Sequence, residues 1–300
     1  MAVDCTRAPL SASFHSAPRG RGRSIAALCS TAAVLGLLAA CASGPMRPPV
    51  GLPDPDRFLF ERGTERLNTR DWFTAREYFR QLVDSYPQSE YRPHAKLGIG
   101  DTYLGEGTAE AFVLGINEFR EFLSFYPVHE RADYAQFKIG MAFFYQMRGP
   151  MRDQTETLDA IRELTAFLER YPPRSKEHPQ YAARQDLITQ ARDRLREARN
   201  RIGEHELGVG VMYHRSRWYP GAIERLRGLL EKDPEFSRRD AALFYLADSY
   251  DKLGRPAEAL PYYDRLIREF EQSEFLERAR ARWTAIRDTM AQSPTETSGS

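Results

Sequence analysis

The chain is 300 residues long, with 43 basic against 42 acidic side chains, 42% hydrophobic residues, three cysteines and a mean hydropathy of -0.57. Balanced charge excludes the general electrostatic drive of a nucleic-acid binder, and ordinary hydrophobic content with a negative mean hydropathy excludes both a disordered chain and a multi-span membrane protein. Three cysteines with no CxxC spacing exclude a disulfide scaffold and a zinc module.

Residues 1–40 read as a targeting segment. Met1 to Pro18 carry no recognisable pattern and form a long extension before Arg19, Arg21 and Arg23. These arginines precede a 16-residue apolar run, Ile25 to Ala40, that holds no charge. A basic region followed by an apolar one is the pattern of a signal peptide, and the run is shorter than the about 20 residues a membrane span needs. It ends Leu38-Ala39-Ala40-Cys41, which resembles a bacterial lipobox. That resemblance implies cleavage before Cys41, a diacylglycerol on its sulfur and an acyl chain on its new amine. Ala42 after the cysteine, in place of Asp, implies sorting to the outer membrane. Several acyl chains anchor stably where one is marginal. Cys5 and Cys29 fall before the cut, which also removes four arginines and Asp4 and leaves 39 basic and 41 acidic groups, a net charge of -2. Residues 41–56 then read as a tether, because Pro45, Pro48, Pro49, Pro53 and Pro55 keep the chain extended at about 3.1 Å per residue.

From residue 57 the chain repeats. An alanine or glycine, a large apolar residue four later and a proline eight beyond that recur as Ala75-Phe79-Pro87, Gly115-Phe119-Pro127, Ala160-Leu164-Pro172 and Ala222-Leu226-Pro234. A fifth copy, Ala259-Tyr263, has Glu271 where the proline would stand. Upstream of each lies a small residue: Gly63, Gly100, Gly140, Gly210 and Ala247. In all but the first copy an aromatic follows three later. The offsets resemble the tetratricopeptide repeat. They make physical sense for two antiparallel helices, which approach closely where a small residue faces a bulky one, and a proline then ends the second helix. The sequence therefore predicts an all-α solenoid of about five helix pairs. Repeats one to three fall in residues 57–179. A linking helix over 180–201, repeats four and five and a last helix from about Phe275 to Met290 fill 180–290. A disordered tail is expected over 291–300. The linking helix carries Tyr181, Leu187, Ile188, Ala191, Leu195 and Ala198 on one stripe.

Five such repeats behind a lipid anchor resemble the BamD family, lipoproteins of the bacterial β-barrel assembly machine. The segments that carry the resemblance are Leu82 to Tyr91 at the end of repeat one, the loop Met147 to Thr155 and the joining stretch Arg192 to Tyr213. The turn Arg217-Trp218-Tyr219 is a fourth. Within that loop, Asp153 and Glu156 have the spacing of a capping box for the next helix. The resemblance implies a scaffold facing the periplasm, in which the C-terminal repeats hold the periplasmic domains of the central barrel-assembly protein. It further implies accessory assembly lipoproteins as partners, and N-terminal repeats that receive unfolded outer membrane proteins in a concave groove. Groove candidates are Phe60, Tyr91, Tyr103, Tyr134 and Phe137; the alternative for each is core packing, which suits Tyr103 best because it holds a repeat-core position. In repeat four Ala222, Leu226 and Leu229 point inward by helical spacing, so Arg225 points elsewhere. The matching family position faces the central assembly protein, where an arginine pairs with carboxylates. The alternative for Arg225 is a solvated side chain in a chain with 38 arginines and five lysines.

No residue pattern for catalysis stands out. Glu204-His205-Glu206 is not HExxH, and His205 and His214 are nine apart, off the spacing of a helical metal pair. Gly98-x-Gly100 and Gly208-x-Gly210 complete no phosphate-binding loop and read as helix-crossing glycines. The expectation is no enzyme, no metal, no nucleic acid and no cofactor beyond the lipid on Cys41. A pilus-assembly lipoprotein (pilotin) with similar repeats is the rival reading. A Tol–Pal-associated repeat protein fits less well, since a proline-rich tether stands where its coiled coil would lie.

Overall fold

A computed structural model describes Pro48 and residues 51–292; the lipobox residues Leu38, Ala39, Ala40 and Cys41, most of the tether and the chain beyond Gln292 lie outside the described residues. Eleven helices and no strand occur among them. Repeat one is α1 (Pro55–Asn68) and α2 (Trp72–Ser85), repeat two α3 (Arg92–Glu106) and α4 (Ala109–Phe125), repeat three α5 (Ala132–Tyr145) and α6 (Thr155–Arg170). α7 (Tyr181–Arg215) leads into α8 (Tyr219–Lys232) as repeat four, and α9 (Arg239–Lys252) and α10 (Pro256–Glu269) form repeat five. α11 (Leu276–Gln292) closes the stack. Every helix packs on its neighbours in the chain, and α1 meets α3, α5 meets α7 and α7 meets α9, so the first helices of successive repeats share one side.

The repeat signal works as the spacing requires. A Cβ added at Gly63 would sit 2.6 Å from the Phe79 ring, one at Gly100 2.6 Å from Phe119, one at Gly140 2.7 Å from Leu164 and one at Gly210 2.6 Å from Leu226. Each small residue of a first helix is therefore the seat of the large residue of its own second helix. Gly98 does the same for the next seam, with its would-be Cβ 2.6 Å from the other edge of Phe79. Phe79, Phe119, Leu164, Leu226 and Tyr263 are all fully buried.

The prolines end the second helices one residue early. Tyr86, Tyr126, Tyr171 and Asp233, each just before a proline, take φ between -122° and -132° and ψ between 54° and 82° while their N–H still donates to the carbonyl four back. A pre-proline residue is pushed out of the helical region, which explains the shared break. Phe270 adopts the same geometry, φ -133° and ψ 67°, with Glu271 in place of proline. A second device holds it there. Ser273 donates its backbone N–H to the Phe270 carbonyl and its hydroxyl to Asp240 at 2.6 Å, the bond that Ser89 makes to Asp56 in repeat one. The last repeat thus leaves at the same angle as the others without its proline.

Two expectations change. The linking helix does not stop near Arg201: α7 runs unbroken for 35 residues into the first helix of repeat four, since nothing between Gln180 and Arg215 forbids helical dihedrals. Its first half packs Ile188, Ala191 and Leu195 on repeat three, and its second half packs Leu207 on repeat four. Ala291 and Gln292 belong to α11 and not to the tail.

Candidate partner-binding surfaces

Arg225 lies on the exposed side of α8, opposite the fully buried Ala222 and Leu226. Its Nη1 donates to Glu206 Oε2 at 3.0 Å, and the two side chains remain about half and a quarter exposed. Water screens such a pair, so it holds the guanidinium loosely and leaves donors free for another carboxylate. Glu224, Arg227, Glu231 and Lys232 surround it, giving a charged surface with little apolar area.

The five aromatic candidates separate into three groups. Phe60 on α1 and Tyr91 before α3 are half-buried and stack on one another, with ring centroids 5.2 Å apart. His94 meets Phe60 edge-on at 6.1 Å and continues to His129 at 5.5 Å, so the exposed edges of these rings form a band across repeats one and two. Tyr134 is half-buried but committed: its hydroxyl donates to Asp101 at 2.9 Å, and Arg131 and Lys138 lie against its ring at 4.4 and 5.0 Å. Burial, together with the Asp101 carboxylate, pushes that hydroxyl well above the ordinary phenol range. Tyr103 and Phe137 are core residues and present no surface to a client. Tyr103 sits under the Arg76 guanidinium at 3.7 Å and accepts from Arg80 at 2.6 Å, and Phe137 packs edge-on against Phe167. Both lie on first helices, but helical spacing puts them on the buried stripe and core packing takes them.

The loop between α5 and α6 is built differently from the expected capping box. Asp153 accepts from the N–H and hydroxyl of Thr155 at 3.0 and 2.8 Å, not from Glu156. Gln154 takes the cap position instead. Its buried side chain donates to the carbonyls of Gly149 and Arg152 and accepts from Thr157 Oγ1, so the register of the cap moves by one residue. From the other side Arg201 donates to the Arg148 carbonyl and His205 bonds the Pro150 carbonyl, both at 2.7 Å. His205 thus anchors a loop, and His214 lies against Asp248 at 2.6 Å. Sequence reasoning missed this second network, in which Asp248 also receives Lys252 at 2.9 Å. Burial alone would raise the Asp248 carboxyl, but the hydrogen bonds and charges of His214 and Lys252 outweigh it and hold the group at about 2. Among the described residues no cluster of three or more His, Cys, Asp or Glu is arranged to hold a metal, and no helix is long and apolar enough to cross a membrane.

Comparison with known proteins adds to this geometry. A family model described as an outer membrane lipoprotein, YfiO, matches residues 53–263. The chain is similar to the outer membrane protein assembly factor BamD of Caulobacter vibrioides, 29% identical over 237 residues that cover 78% of this chain and 72% of that protein. It is similar to the protein of the same name from Vibrio cholerae, 25% identical over 231 residues covering 73% and 88%. Among solved structures, the TPR2AB-domain:pHSP90 complex of yeast Sti1 matches with a TM-score of 0.41 at 13% identity, over 78% of this chain and 84% of that one.

Proposed function

The chain belongs to the YfiO family of outer membrane lipoproteins, and from that membership we propose that it is an outer membrane protein assembly factor, acting as a scaffold and not as a catalyst. The observation that carries this reading is the alignment of relatives bearing that name over 73–78% of the chain, which spans the solenoid and not one repeat of it. In this reading Cys41 is cut free and lipidated, the tether over residues 41–56 stands the solenoid off the outer membrane, and the repeats face the periplasm. Residues 180–290 hold the periplasmic domains of the central barrel-assembly protein, with accessory lipoproteins alongside. Residues 57–179 receive unfolded outer membrane proteins, for which Phe60 and Tyr91 offer stacked rings with free edges.

Arg225 is the residue through which the scaffold contact is read. A carboxylate on the partner would displace the partly exposed Glu206 and gain a two-pronged, charge-assisted pair. Arg225→Glu is expected to reduce co-purification of the central barrel subunit from detergent-solubilised membranes while the helical circular dichroism stays unchanged. Undiminished co-purification would remove Arg225 from the interface.

A further inference from the structure

A groove of about 640 Å³ opens where α7, α9 and α11 lie side by side, and neither Arg225 nor the aromatic band borders it. Its size is that of a ligand site and not of a packing gap. Leu207 and Val211 of α7, Tyr245 of α9 and Phe275 before α11 supply an apolar floor. One wall comes from a different repeat. The loop before α6 places Met151, 63% exposed, directly on the backbone of α7, where a Cβ at Gly208 would sit 2.8 Å from the Met151 sulfur. The bonds from Arg201, His205 and Gln154 described above fix that loop from both sides, so Met151 is held in place without being buried. An exposed methionine on a loop whose backbone three side chains pin is a built wall.

The rim carries basic groups in excess: Glu204 and Glu274 also border it, but Glu204 faces Arg201 at 4.0 Å and Glu274 faces Arg238. Arg215, Arg238 and Arg278 border the groove. Among the described residues Arg215 and Arg278 pair with no carboxylate, and Arg278 is parked over the Phe244 ring at 4.4 Å. Arg238 reaches Glu274 only at 3.9 Å, between two well-exposed side chains. Elsewhere ten arginines, among them Arg57, Arg62, Arg194 and Arg265, pair with an acid one helical turn away. With Arg215 and Arg278 left without carboxylates and Arg238 only loosely held, the guanidinium groups over this apolar floor complement a chain that brings carboxylates next to large apolar side chains.

We infer that this groove is a second docking site, for an extended acidic segment of a partner polypeptide that carries large apolar side chains between its carboxylates. Crossing three neighbouring helices at their usual spacing of 8–10 Å takes about 20 Å, or about six extended residues. The apolar side chains enter between Met151 and Tyr245, and the carboxylates meet Arg215, Arg238 and Arg278. The site lies on the side of α7 away from Glu206 and Arg225, so it does not depend on the scaffold contact proposed above.

The test is fluorescence anisotropy of the purified full chain with a labelled synthetic peptide of two leucines flanked by glutamates. Its glutamine and lysine counterparts serve as the comparison. Saturable binding of the glutamate peptide is expected, weaker by about tenfold for the glutamine version and falling with added salt. Arg215→Glu and Met151→Asp are each expected to weaken it by a similar factor with helicity intact, and Arg225→Glu to leave it unchanged. Equal binding of all three peptides overturns the proposal, as does no saturable binding, or unchanged binding in both Arg215→Glu and Met151→Asp. Loss of barrel co-purification in Arg225→Glu with peptide binding intact, or the reverse in Arg215→Glu, separates this site from the scaffold contact.

Discussion

From Leu207 to Ile286 one apolar cluster of 20 buried residues runs through α7–α11, whereas the chain before it divides its buried apolar residues among three clusters of nine, eight and seven. The seams between those smaller clusters are polar. Eight of the ten buried polar or charged side chains lie at or before Arg184. Arg76 of α2 pairs with Glu106 and donates to Thr102 on α3, Lys138 of α5 meets Asp101 of α3 at 3.1 Å, and Arg184 of α7 pairs with Asp133 of α5. Burying a charge costs free energy that only a well-placed partner offsets, so such seams specify register more than they add stability. The C-terminal half shares one contiguous buried core; the N-terminal half holds three small cores with charged pairs between them. In the function proposed above, a partner held constantly would suit the first half and transient clients the second.

The comparison is broken most severely at Arg184. Arg184→Ala leaves Asp133, 5% exposed, without its cation and is expected to cost about 3–5 kcal/mol in urea unfolding. Amide exchange should rise in α5 and α6 while α8–α10 stay protected. A uniform rise would show that the halves are not separate. Leu226→Ala, in the contiguous core against Gly210, is expected to cost about 2–5 kcal/mol, with exchange rising from α7 to α11 together. Confinement of the effect to α8 would deny a single C-terminal core.

Acid sharpens the contrast. Asp248 is held at about 2, below the about 3.9 of an unfolded aspartate, so it binds its proton less readily when folded. Its stabilisation, roughly 2 kcal/mol, is complete above pH about 4 and is lost as the pH falls towards 2. Asp248→Asn is expected to flatten the stability profile over that window. An unchanged slope would mean that His214 and Lys252 do not hold the carboxylate. The smallest effect belongs to Arg225→Glu, whose exposed pair with Glu206 contributes less than about 1 kcal/mol, so its thermal midpoint should barely move.

What could be read beforehand was local. The small-to-large offsets and the prolines are fixed by the geometry of a single helix pair, and each finds its partner where spacing places it. The turn between paired helices was not legible. In repeats one and four the residue seven after the seam glycine, Arg70 and Arg217, takes φ of 61°, where repeats two and five use Gly107 and Gly254. Arginine gives no sign of a left-handed turn. The polar seams were hidden for a different reason. Their partners lie 26 to 51 residues apart in a chain where acids and arginines are everywhere. The groove under Met151 needs a loop from repeat three laid on α7, which no periodicity announces. Tyr103 and Phe137 show the converse, aromatic residues whose surface role dissolves once burial is known.

Assembly of outer membrane proteins is tested most directly by isolating the full, tagged chain from detergent-solubilised outer membranes and identifying what comes with it. A large barrel protein bearing periplasmic domains is the expected companion, retained by the wild type and depleted in Arg225→Glu. Co-isolation of a secretin ring, with no such barrel, would contradict the assembly role and support the pilus-lipoprotein reading in its place.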